Sequence, residues 1–229
     1  PEFYVYGSTG DPKDVVLDAQ YASRHFEFSG GNNSYIAGFK NITFTKGRAS
    51  SDNNGSGGGA FKIFSNVKVT FDNCIFYRNV SEGTEGWGAG GAILLERVTE
   101  ASFTNCIFRE NRVENGSRGG AVFIYDNQAD GSSALHLFDH CKFISNGVEK
   151  GQADNQDHLS GGALAAHGSV IIQHSLIDSN YVYHNYTGTG EIVGAYGGAV
   201  AFSYGGDPQE LSSWNNIPYS IFSSNIVSN

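Results

Sequence analysis

The chain has 229 residues, of which 39% are hydrophobic, and this is enough for one large domain with a continuous core. Glycine is abundant at 31 residues and only 16% of residues are charged, a profile typical of a turn-rich all-β protein and too apolar for a disordered chain. The net charge of −9 argues against nucleic acid or an anionic membrane as partner, because both require clustered Lys and Arg. No apolar run reaches the roughly 18–20 residues of a membrane span, so we expect no membrane insertion.

The chain opens with two β-like runs, at 3–6 and 15–17, which we expect to form a partial first coil over residues 1–25. A unit of about 30 residues then recurs, most clearly at 90–111, where it reads GGAILLERVTEASFTNCIFREN. A fixed internal period indicates stacked copies of one supersecondary element. The predicted successive coils are 26–47, 58–79, 90–111, 119–146, 161–180 and 197–225.

Each unit contains three short runs of alternating polarity, as expected for strands. No segment carries the pattern and capping signals of a helix of about 12 residues, so a βαβ fold is unfavourable. We therefore predict an all-β fold: one parallel β-helix domain over residues 1–229, with three short strands per coil. It has about six full coils and the partial N-terminal coil. Because the chain begins at Pro1 and stops directly after a repeat, we expect a mature or excised piece, continued by more chain or by another molecule.

Stacking of coils predicts columns of equivalent residues along the rod. The closing position of each unit is expected to adopt a left-handed turn, and its side-chain amides to bond along the stack. This column reads Gly47, Asn79, Asn111, Asn146, Asn180 and Asn225. Three residues earlier we predict a core aromatic stack. That column reads Phe44, Phe76, Phe108, Phe143, Ile177 and Phe222.

The three cysteines, Cys74, Cys106 and Cys141, fall in one predicted inward column. Buried free thiols are the favoured interpretation, because free Cys packs as a small hydrophobe. Neighbouring coils hold Cβ atoms about 4.8 Å apart, which is longer than the roughly 3.8 Å that a disulfide prefers. One strained disulfide and a metal site are the alternatives.

Two alternating motifs carry a resemblance to a known family. Gly-Gly-Ala-aliphatic stands at Gly90, Gly119, Gly161 and Gly197, and Phe-x-x-Asn stands at Phe76, Phe108, Phe143 and Phe222. Together they resemble the repeats of polymorphic outer membrane proteins. The resemblance implies a right-handed, surface-exposed β-helix with an adhesive or structural role. The sequence departs from that pattern, since its 229 residues include no segment that resembles the C-terminal autotransporter barrel of those proteins.

The sequence is compatible with three functions. The favoured one is an extracellular or cell-surface structural or adhesive glycoprotein, such as an adhesin, whose open coil ends assemble with itself or another chain into a filament or coat. The second is a polysaccharide lyase or glycoside hydrolase, although the polygalacturonase-type signatures are missing and no catalytic residue is assigned. The third is a non-catalytic module that binds extracellular glycans.

Loops between the closing Asn and the next Gly-Gly should share one edge of the rod, where solenoids commonly place function. The candidate carbohydrate site consists of tyrosines, whose flat rings can stack on sugar faces, and of one histidine at a turn. These residues are Tyr181, Tyr183, Tyr186, Tyr196 and His167. No cofactor is expected except Ca²⁺. Its candidate ligands are Glu149, Asp154 and Asp157, for which a solvated acidic loop is the simpler interpretation.

Asn-x-Ser/Thr sequons mark candidate glycosylation sites in a secreted protein. They occur at Asn32, Asn41, Asn54, Asn115 and Asn185. A sixth, at Asn79, belongs to the closing column and is a poor acceptor if its amide is bonded along the stack.

Overall fold

The computed structural model describes residues 1–31, 33–50, 57–83, 88–116, 118–126, 134–150, 159–184, 195–202 and 220–228. These residues form short strands and contain no helix. The strands are β1 (Glu2–Tyr6), β2 (Val16–Asp18), β3 (Phe26–Ser29), β4 (Tyr35–Lys40), β5 (Thr43–Thr45), β6 (Arg48–Ala49), β7 (Phe61–Phe64), β8 (Val67–Asp72), β9 (Ile75–Tyr77), β10 (Val80–Glu82), β11 (Ile93–Glu96), β12 (Glu100–Thr104), β13 (Ile107–Arg109), β14 (Arg112–Glu114), β15 (Val122–Tyr125), β16 (Leu135–Asp139), β17 (Lys142–Ile144), β18 (Gly147–Lys150), β19 (Leu159–Ser160), β20 (Leu164–His167), β21 (Ser169–Gln173), β22 (Leu176–Asp178), β23 (Tyr181–His184), β24 (Ala195–Tyr196), β25 (Val200–Phe202), β26 (Ile221–Ser223) and β27 (Ile226–Ser228).

Four long parallel sheets run along the molecule, and in each sheet neighbouring strands come from successive coils. Sheet A is β1-β4-β8-β12-β16-β21, and sheet B is β2-β5-β9-β13-β17-β22-β26. Sheet C is β3-β7-β11-β15-β20-β25, and sheet D is β6-β10-β14-β18-β23-β27. A small extra pair, β19-β24, lies before the Gly-Gly turns. The predicted all-β parallel solenoid is confirmed, with about five turns in place of the predicted six full coils.

Each coil has four strands where the sequence predicted three. The additional strand directly follows the closing Asn, as in β14, and belongs to sheet D. Its single inward residue, Val113, packs in a small separate cluster with Val148 and Val182. One apolar residue between Arg112 and Glu114 is too short a pattern to reveal a strand.

Phenylalanine rings fill the interior in matched columns. In sheet B the rings of Phe76 and Phe108 stack with their centroids 4.8 Å apart, and Phe108 and Phe143 repeat the same spacing. The predicted aromatic core stack is therefore confirmed for these residues, all fully buried. Phe222 keeps the register by pairing with Ile177, but it is 45% exposed.

The predicted asparagine ladder is also confirmed. The side-chain amide of Asn111 donates to Asn146 Oδ1 at 3.0 Å, and Asn146 donates to Asn180 Oδ1 at 2.9 Å. The last rung joins Asn180 to Asn225 at 3.0 Å. Bonds of this kind leave no buried amide unpaired along the stack.

The predicted left-handed conformation of this column is wrong by one residue. Positive φ belongs to the residue before each closing Asn, for example Glu110 at 53° before Asn111. Asn111 is fully buried and points its amide into the ladder, whereas the preceding side chain faces outward and takes the turn. The first glycine of each Gly-Gly motif also has positive φ. Gly90 has φ of 62°, and a Cβ there would lie 2.1 Å from the Ile93 carbonyl oxygen.

The cysteines are free and buried, as the favoured interpretation predicted. Each thiol contacts a backbone carbonyl of the preceding coil. Cys74 Sγ lies 3.5 Å from Phe39 O, and Cys106 Sγ lies 3.4 Å from Phe71 O. Burial raises the pKa of Cys106 well above its usual value, so this thiol stays protonated and inert.

Candidate functional site

A polar column runs along the outer turn between sheets A and B. Its five members all have positive φ, between 50° and 57°. They are Asn41, Asn73, Asn105, His140 and His174. Asn73 donates to Asn41 Oδ1 at 2.9 Å, so the column starts as an amide ladder. It continues as two histidines in the fourth and fifth positions.

The two histidines converge on one carboxylate. Their imidazole rings stack with centroids 4.8 Å apart. The Nδ1 atoms of His140 and His174 each lie 2.9 Å from Asp139 Oδ1. The His174 hydrogen bond, with a smaller contribution from the charge of His140, lowers the pKa of Asp139.

Sequence reasoning missed this cluster, since the two histidines are separated by 33 residues of chain that include a long insertion. A signal was nevertheless present, because each lies directly before the column that contains Cys141 and Ser175. His140 and His174 side chains are 59% and 43% exposed, so solvent reaches both rings. Three donor atoms within 4.8 Å of one another make this the cluster of the described residues best suited to a metal ion.

His167, proposed from the sequence as a sugar-site residue, ends β20 on the outer face of sheet C. Its ring packs against Phe123 and Tyr125, with centroids 5.7 and 5.6 Å away. Its Nε2 lies 3.3 Å from the Arg118 guanidinium. Burial, followed by the charge of Arg118, lowers the pKa of His167 to about 4. The imidazole is therefore neutral at physiological pH.

The predicted tyrosine site is only partly within the described structure. Tyr181 is half-buried and donates its hydroxyl to Glu149 of the neighbouring coil, while burial raises its pKa. Tyr183 lies on the same outward face of sheet D and is 43% exposed. Tyr186 lies outside the described residues, and only the strand position of Tyr196, in β24, is described. His167 is on a different sheet from Tyr181 and Tyr183.

The calcium and glycosylation predictions also fall partly outside the described chain. Asp154 and Asp157 are not described, and Glu149 accepts the Tyr181 hydroxyl. Of the sequons, Asn32, Asn54 and Asn185 are not described. Asn115 is exposed on the turn after β14, and Asn41 is half-buried in the outer polar column. These predictions stay predictions.

A buried polar pair lies inside the rod and was not foreseen. His136 points inward from β16, between Ala101 and Val170 of the neighbouring coils. Its Nε2 is 3.5 Å from Asp126 Oδ2, and the two side chains are 0% and 1% exposed. That depth keeps the pair away from dissolved molecules, so we assign it no binding role.

The protein is therefore a parallel β-solenoid with a pair of stacked histidines on the outer turn between sheets A and B. Comparison with protein-family models, curated proteins and solved structures found no significant match. The likeness to polymorphic outer membrane protein repeats thus rests on the motifs alone. Within the described residues, no helix has the length and apolar character needed to cross a membrane.

Proposed function

We propose that this protein is a structural module of an extracellular or cell-surface assembly, in which copies stack end to end through their terminal coils. The observation that carries the proposal is the apolar surface at both ends of the described rod. Phe3 and Tyr4 of β1 are 42% and 46% exposed at one end. Phe222 and Ile226 are 45% and 57% exposed at the other end.

The backbone supports the same arrangement. Each long sheet has a terminal strand at either edge, such as β2 and β26 in sheet B, and one side of each carries backbone groups without a partner strand among the described residues. Because every described pairing is parallel and in matched register, the upper edge of one copy has the geometry to pair with the lower edge of another. Phe222 would then lie over Leu17 of a second copy.

Such a contact uses two different surfaces, so it does not close on itself. Head-to-tail interfaces of this kind generate open filaments unless their rotation closes a ring. The end-on strand pairing is a form of β-augmentation, in which main-chain hydrogen bonds supply affinity and side-chain columns supply register.

Several of the outward charges fit a structural role, because they pair between neighbouring coils. Lys68 and Glu100 are 2.7 Å apart across one coil boundary. Arg78 and Glu110 are 2.8 Å apart across another, and this hydrogen bond lowers the pKa of Glu110. Exposed pairs contribute little energy each, but opposite charges in adjacent coils favour the correct register.

Sedimentation velocity over a concentration series tests the proposal. We expect the wild type to form larger species as concentration rises, and Phe222→Lys to remain monomeric because a charge then faces the incoming coil. Tyr183→Lys is the matched control, since Tyr183 is similarly exposed at 43% but lies on the side of the rod. A wild type that sediments as one monomeric species throughout contradicts the proposal, as does equal assembly by Phe222→Lys.

A further inference from the structure

We infer that Asp139, His140 and His174 form a binding site for a divalent transition metal ion of the Zn²⁺ or Ni²⁺ type, on the outer turn between sheets A and B. This inference is independent of end-to-end assembly. It rests on the donor atoms, their spacing and the way the coils hold them.

The spacing is close to that of a metal site. Asp139 Oδ1 is 2.9 Å from the Nδ1 atoms of His140 and His174, and the three donor atoms lie within 4.8 Å of one another. Ligands about 2.0–2.1 Å from a tetrahedral Zn²⁺ are about 3.4 Å apart. Widening each of the two 2.9 Å oxygen–nitrogen separations by about half an ångström therefore brings them to the spacing of metal ligands.

The chemistry of the donors is also suitable. A neutral imidazole that carries its proton on Nε2 presents an Nδ1 lone pair, and the Asp139 carboxylate presents an oxygen, so each of the three residues offers one ligand atom. When the ion enters, each Nδ1 exchanges a hydrogen bond to Asp139 for a bond to the metal, and its proton moves to Nε2 through solvent. Two imidazoles and a carboxylate suit Zn²⁺ or Ni²⁺ better than Ca²⁺ or Mg²⁺.

The solenoid pre-organises the three residues. Asp139 pairs with Gln173 in the parallel register of β16 and β21, which places the two histidines one above the other. His140 N–H donates to Gln173 O at 3.1 Å, and both histidines hold a left-handed turn with φ of 53° and 50°. Because the backbone is fixed by these contacts, little ordering is needed when a metal binds. The solvent-facing side of the cluster leaves coordination positions of the metal ion open to water.

The polar column supplies the matched substitution. Asn occupies the equivalent position in the three preceding coils, at Asn41, Asn73 and Asn105, with the same positive φ. His140→Asn and His174→Asn should therefore fold as the wild type does, while removing one imidazole each. Circular dichroism of each variant verifies this.

Isothermal titration of the full chain with Zn²⁺, and separately Ni²⁺, tests the site. We expect one equivalent to bind the wild type and to raise its melting temperature. Each single variant should bind at least about tenfold more weakly, since even the loss of an outer hydrogen-bond partner lowers metal affinity about 10–100-fold. His167→Asn, on another sheet, is the control and should bind as the wild type does. Absence of binding by the wild type, or unchanged binding by the His140→Asn/His174→Asn double variant, overturns the inference.

Discussion

Asn79 donates its side-chain amide to Asn111 Oδ1 at 3.0 Å, and neither side chain has any exposed surface. The same oxygen accepts the Asn79 backbone N–H at 3.0 Å. The Asn111 amide in turn donates to Phe76 O at 2.9 Å and to Asn146 Oδ1 at 3.0 Å. One side chain thus makes four hydrogen bonds, which join three successive coils at the turn between sheets B and D.

Replacement of Asn111 by Ala should therefore destabilise the protein strongly. At least two buried polar groups lose a partner, at about 1–3 kcal/mol each, so we expect the free energy of unfolding to fall by about 3 kcal/mol or more. Urea denaturation measures the change. Asn105→Gly is the control, because Asn105 is exposed and Gly tolerates its φ of 54°; its effect should stay within about 0.5 kcal/mol. Equal effects of the two variants would show that the ladder contributes no stability.

The aromatic column allows a comparison within one set of equivalent positions. Phe108 is fully buried between two stacked rings, whereas Phe222 is 45% exposed. We expect Phe108→Ala to lower the free energy of unfolding by about 3–5 kcal/mol. Phe222→Ala should lower it by about 1–2 kcal/mol when measured at a concentration where the protein is monomeric. A larger loss for Phe222 than for Phe108 is incompatible with the described packing.

The pKa of His167 should depend on the neighbouring Arg118 guanidinium. Its pKa of about 4 lies below the ordinary value of about 6.5, so between these values the unfolded chain binds a proton that the folded chain excludes. The contribution of His167 to the free energy of unfolding is therefore complete above pH 6.5 and is lost as the pH falls toward 4. Arg118→Gln should raise the pKa of His167 but leave it below 6.5, because burial is the larger cause.

An NMR titration of the His167 ring proton in both proteins measures this shift. Arg78→Gln is a suitable control, since Arg78 pairs with Glu110 at 2.8 Å and is not among the causes of the His167 shift. An ordinary pKa in the wild type, or no change in Arg118→Gln, would refute the assignment.

Two sequons are expected to differ in whether they carry a glycan. Asn115 is exposed, whereas Asn79 is fully buried and has both amide atoms engaged in the ladder. In a eukaryotic secretory host we expect a glycan on Asn115 and none on Asn79, as read by peptide mass spectrometry before and after glycosidase treatment. A glycan on Asn79 of the folded protein would mean that its turn opens.

The sequence revealed the repeating parts of this structure well. Phe76, Phe108 and Phe143 pair in the predicted register, because a strict motif repeat leaves only one way to superpose coils. The fourth strand of each coil was not predictable from the sequence, because its inward face is a single residue such as Val113. The sequence predicted positive φ at the closing Asn, whereas the structure has it one residue earlier, as at Glu110. The turn preference of Asn is overridden at Asn111 by four buried hydrogen bonds. The Asp139 cluster escaped notice because insertions of variable length hide which residues become neighbours.

Cryo-electron microscopy of the concentrated protein tests end-to-end stacking most directly. We predict filaments in which the coil spacing of about 4.8 Å runs unbroken through each junction, with Phe222 of one copy over Leu17 of the next. Separate rods with uncovered ends, or filaments joined through their sides, would contradict this account.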